Sequence, residues 1–357
     1  MQNALVKSLR RFTHGIWWLW LLALPARAAF SNLYIFGDGV CTTTNGPGGG
    51  YYYGKRYSNG RVWVEALAQW QALNYDSNKN WSYFGHYSPD LLTNLSHFTA
   101  PSDANSALFV VWVDDADFVY NVEHYGTDVS QWTNAIQQSL ANHYKAITNL
   151  YYAKGARTLV MPNAVDISKT PYYSGLPSAN KDFIRQRTID FNNAFLLTLS
   201  QARAALPGVT IYSPDAFSLF DRLLAQAANY GLTNAGIDAL EDPALSDKSL
   251  TGPGANYVFW DYLDPTAKAH MALADVVQQL ISPPYIAQLT LLGATNQLIA
   301  ASVPVGRNGA VLGSDSLSSW TTVGPIQSTN LSQPLFIPTA GPRYFYRLQF
   351  PLTWSWP

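Results

Sequence analysis

At 357 residues the chain is long enough for one large domain and a smaller one. Apolar residues make up 48% and charged residues 13%, which excludes a disordered chain. A formal net charge of −1 leaves no electrostatic footprint for nucleic acid, and 1 cysteine excludes an internal disulfide, so stability must come from the core. The 12 Trp and 22 Tyr leave two readings open: buried strand ends and pocket rims, or a surface lined for acyl or carbohydrate ligands.

Lys7, Arg10 and Arg11 form a basic head before an apolar run, residues 16–24, that is too short to span a bilayer. Pro25 and Ala26-Arg27-Ala28 supply a break and a small-residue cleavage signal. Residues 1–28 therefore read as a secretory signal peptide of bacterial type cut after Ala28, with an uncleaved anchor as the alternative. Export to the periplasm, cell envelope or medium follows, with no stable membrane insertion after cleavage. Loss of the four basic residues in that segment takes the net charge to −5.

Residues 33–36 form a short apolar run that stops at Gly37-Asp38-Gly39, as a buried strand opening into a loop would. A Gly- and Tyr-rich loop, residues 46–54, follows. Val62, Ala66, Leu67 and Trp70 then recur at helical spacing. The segment 80–86 ends near Gly85 and His86, and residues 107–113 are a continuous apolar run expected of a strand buried on both faces. Asp114, Asp115, Ala116 and Asp117 come next and read as a strand-end loop. Helices are expected over residues 129–152, 179–205 and 215–229, with strands near 158–161 and 209–212 between them. This alternation predicts a parallel, doubly wound sheet. Residues 258–270 carry Asp261, Asp264-Pro265-Thr266 and His270. If Pro265 opens a helix, His270 lies more than a turn inside it and reads as a structural helix residue. Ser282-Pro283-Pro284 then breaks the helix, and residues 283–357 read as a small antiparallel β module.

Four ordered blocks resemble those of the SGNH/GDSL hydrolases: residues 33–40 with the following Ser58-Asn59-Gly60-Arg61-Val62-Trp63-Val64-Glu65, then 80–86, then 107–118, then 258–270. The resemblance covers residues 29–282. It implies a three-layer α/β/α sandwich with a flavodoxin-like, five-stranded parallel sheet, hydrolysis of carboxylic esters such as acyl lipids or acetylated sugars, and no cofactor or metal. Asp38, Gly85 and Asp261 match family positions. The nucleophilic Ser position, however, holds Gly39, the triad His position holds Asp264, and the oxyanion Asn position holds Ala116. Gly313-Ser314-Asp315-Ser316-Leu317 nearly copies the family's first motif but lacks the strand-to-helix context and a downstream Asp-x-x-His.

Ester hydrolysis by this route needs a nucleophile, a base and oxyanion donors. Cys41, two residues beyond the nucleophile position, would point about 200° away and lack a base. The residues therefore predict a binding protein with the serine mechanism lost, taking a small ester, acyl or carbohydrate ligand. The alternative is an enzyme that uses water activated by Asp264 or another carboxylate. Asp38, Asp114, Asp115, Asp117, Asp261 and Asp264 are expected on one rim, where two or three could share a pocket, bind a ligand or a cation, or merely cap helices. His86 is a further pocket candidate, with a structural, hydrogen-bonded role as its alternative.

Overall fold

The computed structural model describes residues 30–338 and 344–352; the expected signal peptide lies outside them. Strands β1 (Leu33–Gly37), β2 (Leu108–Trp112), β3 (Thr158–Val160) and β4 (Thr210–Tyr212) form one parallel sheet in the order β1-β2-β3-β4. The expected fifth strand is reduced to one parallel bridge beside β1, where Trp81 N–H donates to the Ile35 carbonyl at 2.8 Å. There Ser82 Oγ, in place of a backbone carbonyl, accepts the Gly37 N–H at 2.9 Å, and Tyr83 N–H donates to the Gly37 carbonyl at 3.3 Å.

Period-two alternation sends successive strand residues to two different cores. Tyr34, Phe36, Phe109, Val111 and Leu159 pack under α2 (Ser88–His97), α3 (Asp114–Tyr125), α4 (Val129–Tyr152) and α5 (Ser178–Ala205). Leu33, Ile35, Leu108, Val110, Trp112 and Val160 pack under α1 (Trp63–Trp70), α6 (Ala216–Ala225) and α7 (Ala267–Ile281). The result is the expected three-layer sandwich.

Side chains fix where the helices begin. Asp128 accepts from Ser130 and Gln131 N–H at the start of α4, and Glu65 accepts the Val62 N–H at 3.0 Å while pairing with Arg56 at 2.5 Å. One departure from expectation is α3. Its first turn is Asp114, Asp115, Ala116 and Asp117, which the sequence suggested as loop; three acidic residues at a helix N-terminus suit its unpaired N–H groups and dipole.

The Ser58–Glu65 phrase connects distant parts of the chain. Ser58 Oγ donates to the Pro265 carbonyl at 3.0 Å. Asn59 Nδ2 donates to the Leu250 carbonyl at 2.9 Å, and its Oδ1 accepts the Ala267 N–H, the first of α7, at 2.8 Å. Both residues are fully buried. The loop after β1 is thereby tied to the 258–270 block, 207 and 208 residues away.

After α7 ends at Ile281, strands β5 (Tyr285–Leu291), β6 (Thr295–Ala301), β7 (Asn308–Ser314), β8 (Thr321–Gln327), β9 (Ser332–Pro338) and β10 (Phe345–Gln349) make two antiparallel sheets, β5-β6-β9 and β10-β7-β8. They share a small core of Leu298, Ala300, Val311, Ile326, Ile337 and Phe350. Buried Arg307 fastens this region to the larger one: it pairs with Asp275 of α7, donates to the Phe350 and Pro351 carbonyls, and lies 4.7 Å over the Trp70 ring. The Gly313–Leu317 near-copy is the β7–β8 turn, with Ser314 Oγ accepting the Ser316 and Leu317 N–H groups.

Asn59→Ala would leave a buried N–H and a buried carbonyl without partners, a cost of about 2–4 kcal/mol. The expected result is a melting temperature lower by about 5 °C or more in a circular-dichroism melt. An unchanged melt would show that the tether is dispensable.

Candidate ligand pocket at the end of the first strand

β1 ends where the chain must turn sharply. A side chain on Gly37 would place its Cβ 2.5 Å from that of Cys41, so only glycine allows the turn to fold back over the strand. Asp38 follows. Its carboxyl accepts the Val40 N–H at 3.2 Å and a further N–H from Ala116, in the first turn of α3. Gly39 then faces a cavity of about 280 Å³ that runs between the C-terminal ends of the strands and helices α6 and α7.

Gly39, Asp38, Gly85, Asp115, Ala116 and Asp264 all line this cavity. The 258–270 block therefore reaches the end of β1, as the motif order required. A Cβ on residue 39 would stand 3.3 Å from Asp264 Oδ1 and 3.2 Å from the Phe84 ring. The space a nucleophile would use is thus narrowed by a carboxyl and an aromatic ring. Gly85 adopts φ +72°, which a side chain rarely tolerates. Asp261 stands behind Asp264. It accepts the Leu263 and Asp264 N–H groups and the Tyr52 hydroxyl, and it shares a side-chain hydrogen bond with Asp264.

Burial dominates the electrostatics. It pushes the Asp38 carboxyl up to about 7 and Asp261 up to about 6, against the hydrogen bonds that favour their charged forms. Asp264 is held well above the usual range by burial and then by the charges of Asp261 and Asp38. Asp115 rises through burial and Asp38, although its Oδ1 accepts the Val165 N–H at 2.9 Å.

Other candidates lie elsewhere. Asp117 caps α2 by accepting the Ser88 N–H at 2.9 Å, and its other oxygen takes the Ser139 hydroxyl at 2.5 Å. Asp114 is buried beside the cavity without lining it, and neither carboxyl oxygen has a hydrogen-bond partner. His86 does not line the cavity either. Its ring nitrogens meet the Gly37 carbonyl at 2.8 Å and Asn94 at 3.0 Å, and burial lowers its pKa. Cys41 is fully buried with its thiol pushed up, away from the cavity lining. Among the described residues no cluster of three or more His, Cys, Asp or Glu is arranged to hold a metal.

Two features escaped the sequence reading. The cavity wall is apolar, with Val119, Ile167, Leu219, Leu223, Phe259 and Leu273, and the half-exposed Tyr172 and Tyr262 rings touch at 5.1 Å among its lining residues. These residues come from five separate segments, so no local pattern announces them. His270, in the helix as expected, also lines the cavity. Thr266 caps α7 by accepting the Ala269 N–H, and this phasing turns position 270, still in the first turn, inward.

A family model described as GDSL-like lipase/acylhydrolase matches residues 33–277. Over 260 residues the chain is 23% identical to the secreted effector protein SseJ of Salmonella typhimurium, covering 67% of this chain and 58% of that protein. Over 182 residues it is 25% identical to the anther-specific proline-rich protein APG of Brassica napus, covering 46% of this chain and 38% of that one. The chain thus spans about half the length of these curated relatives. Similar solved structures include the lipase Lip_vut3 from a goat rumen metagenome (TM-score 0.41, 12% identity, 70% of this chain and 97% of that one). The acetylxylan esterase Axe2 of Geobacillus stearothermophilus is similar too (TM-score 0.42, 12% identity, 71% and 96%).

The raised carboxyls make stability depend on pH. Above about pH 6.5 the unfolded chain has released its carboxyl protons and most histidine protons. The folded chain still holds protons on Asp38 and its neighbours, so stability falls as pH rises from there. Calorimetry should show a lower melting temperature at pH 8 than at pH 6.5, and Asp38→Asn should flatten that slope. A melting temperature that rises over this range would contradict the proton assignment.

Proposed function

Because the chain belongs to the GDSL-like lipase/acylhydrolase family, we propose that it is an exported member whose serine mechanism is dismantled and which binds a small, apolar ester or acyl ligand in the Gly39 cavity. The observation that carries this reading is the pairing at the mouth of the site. Where the family needs a serine hydroxyl next to an imidazole, residue 39 has no side chain and its nearest polar neighbour is the Asp264 carboxyl.

Loss of the nucleophile or the base alone costs on the order of 10⁶ in turnover, and loss of an oxyanion donor costs ~10²–10³. Replacement groups are poorly placed. Among the lining residues the aliphatic hydroxyl is Thr170, which donates to the Ile167 carbonyl at 2.8 Å. Burial and the charges of Asp261 and Asp38 favour the protonated form of Asp264, and that form cannot accept a proton from water. The apolar wall supports an acyl or ester ligand over a carbohydrate, whose hydroxyls would need polar partners along the cavity. Export is supported by the basic and apolar pattern of residues 1–28 and by the likeness to a secreted effector. No helix among the described residues is long and apolar enough to cross a membrane.

Purified protein assayed with nitrophenyl butyrate should show no turnover above a heat-denatured control, and a serine-directed phosphonate should not label it. Turnover abolished by Asp264→Asn would instead establish the carboxylate-and-water enzyme.

Gly39→Ser combined with Asp264→His should restore measurable ester hydrolysis, well below that of intact family members because Ala116 still lacks the oxyanion donor. A folded double variant with no activity at all would place the loss in the remodelled cavity instead.

A further inference from the structure

Four carboxyl side chains line the Gly39 cavity, those of Asp38, Asp115, Glu123 and Asp264, and no Lys or Arg does. None of the ion pairs among the described residues involves them. Asp264 is 4% exposed and takes no hydrogen bond from an N–H or a hydroxyl; its side-chain partner is a second acid, Asp261. Asp115 is 8% exposed. Its Oδ1 accepts the Val165 N–H, and among the described residues its other oxygen accepts nothing. Carboxyls withdrawn from water are ordinarily paired with a cation or with several donors. The positive charge that this cavity calls for is not on the protein.

Aromatic rings meet one of these carboxyls at a single place. From the position a Cβ on residue 39 would take, Asp264 Oδ1 is 3.3 Å away, the Phe84 ring 3.2 Å and the Tyr57 ring 3.8 Å. The two rings lie 5.3 Å apart. Phe84 is 44% exposed and lines the cavity, as do half-exposed Tyr172 and Tyr262, so this place is at the open end. A carboxyl beside an aromatic face attracts a cation twice, through its charge and through the ring quadrupole. An anionic head group would instead be set against four carboxyls, and so would the phosphate of a zwitterionic lipid. A neutral ester or hydroxyl would leave the carboxyls uncompensated. An ammonium supplies the missing charge, and an opposite charge nearby favours the ionised carboxyl over the protonated one. Much of the remaining lining, with Val119, Leu219, Leu223 and Leu273, is apolar and suits an aliphatic chain.

We infer that Asp264, Phe84 and Tyr57 form a head-group subsite, and that the occupant of the cavity is a small acyl or alkyl compound with an ammonium head. This rests on the reading of the cavity as a binding site and specifies the charge of what binds there. A volume of about 280 Å³ lies near the lower bound of ligand pockets, which suits one short chain.

Isothermal titration calorimetry of the full protein with hexyltrimethylammonium, 1-hexanol and hexanoate tests the subsite, because the three probes share a chain length and differ in head-group charge. The wild type should bind the ammonium about tenfold or more tightly than 1-hexanol, and hexanoate most weakly. Asp264→Asn, which keeps the shape and removes the charge, should cut the preference for the ammonium over 1-hexanol about tenfold. Phe84→Leu, which keeps an apolar side chain and removes the ring, should cut it roughly two- to fivefold. Because Phe84 is 44% exposed, that variant carries the test if Asp264→Asn does not fold. Binding of 1-hexanol or hexanoate by the wild type as tightly as the ammonium, or a preference that survives both substitutions, overturns the head-group subsite while leaving the cavity as a binding site. Binding of none of the three overturns both.

Discussion

The fold depends on a buried tether, the pair of hydrogen bonds that Asn59 makes to the Leu250 carbonyl and the Ala267 N–H. A doubly wound sheet brings its strand ends to one edge, but it does not by itself bring the final loop over the first strand. Asn59 and Ser58 do that, and both sides of the cavity follow from it. Gly39 lies just after β1, and Asp264 lies just before α7. Without the tether these residues would share an edge but not a site. The tether is a stability device, so its loss is penalised whether or not chemistry occurs nearby.

Much of this was legible in the sequence because the signals were local. The run over 107–113 could only be a doubly buried strand, and the apolar spacing over 129–152 matched α4 to both of its ends. The tie between residue 39 and residue 264 was legible from motif order, and the two residues lie side by side. What failed was non-local. Asp114 to Asp117 look like loop residues until the N–H groups they face are known. Asp117 and His86 sit beside motif positions, yet their partners Ser88, Ser139 and Asn94 turn them away from the cavity. His270 lines the cavity, although its spacing from residue 264 ruled out a triad role. That argument says nothing about which other wall the residue faces.

The site also shows how a cavity can hold several carboxyls close together. Asp38, Asp115 and Asp264 cannot all be ionised at close quarters in a dry environment, and the raised pKa values express the alternative, in which protons stay on the protein. A carboxylic acid donates as well as accepts, and the hydrogen bond between Asp264 and Asp261 uses that capacity. The carboxyl at position 264 is therefore a group whose surroundings favour holding a proton.

The turn at Gly37 has one more consequence. The chain's 1 cysteine, Cys41, is folded over that glycine and has no exposed surface. A lift of the end of β1 would uncover the thiol, and that movement would also disturb the mouth of the cavity. The protein thus carries a natural reporter at its own site: a thiol-reactive dye, which cannot reach the closed form, measures by its labelling rate how often the pocket opens.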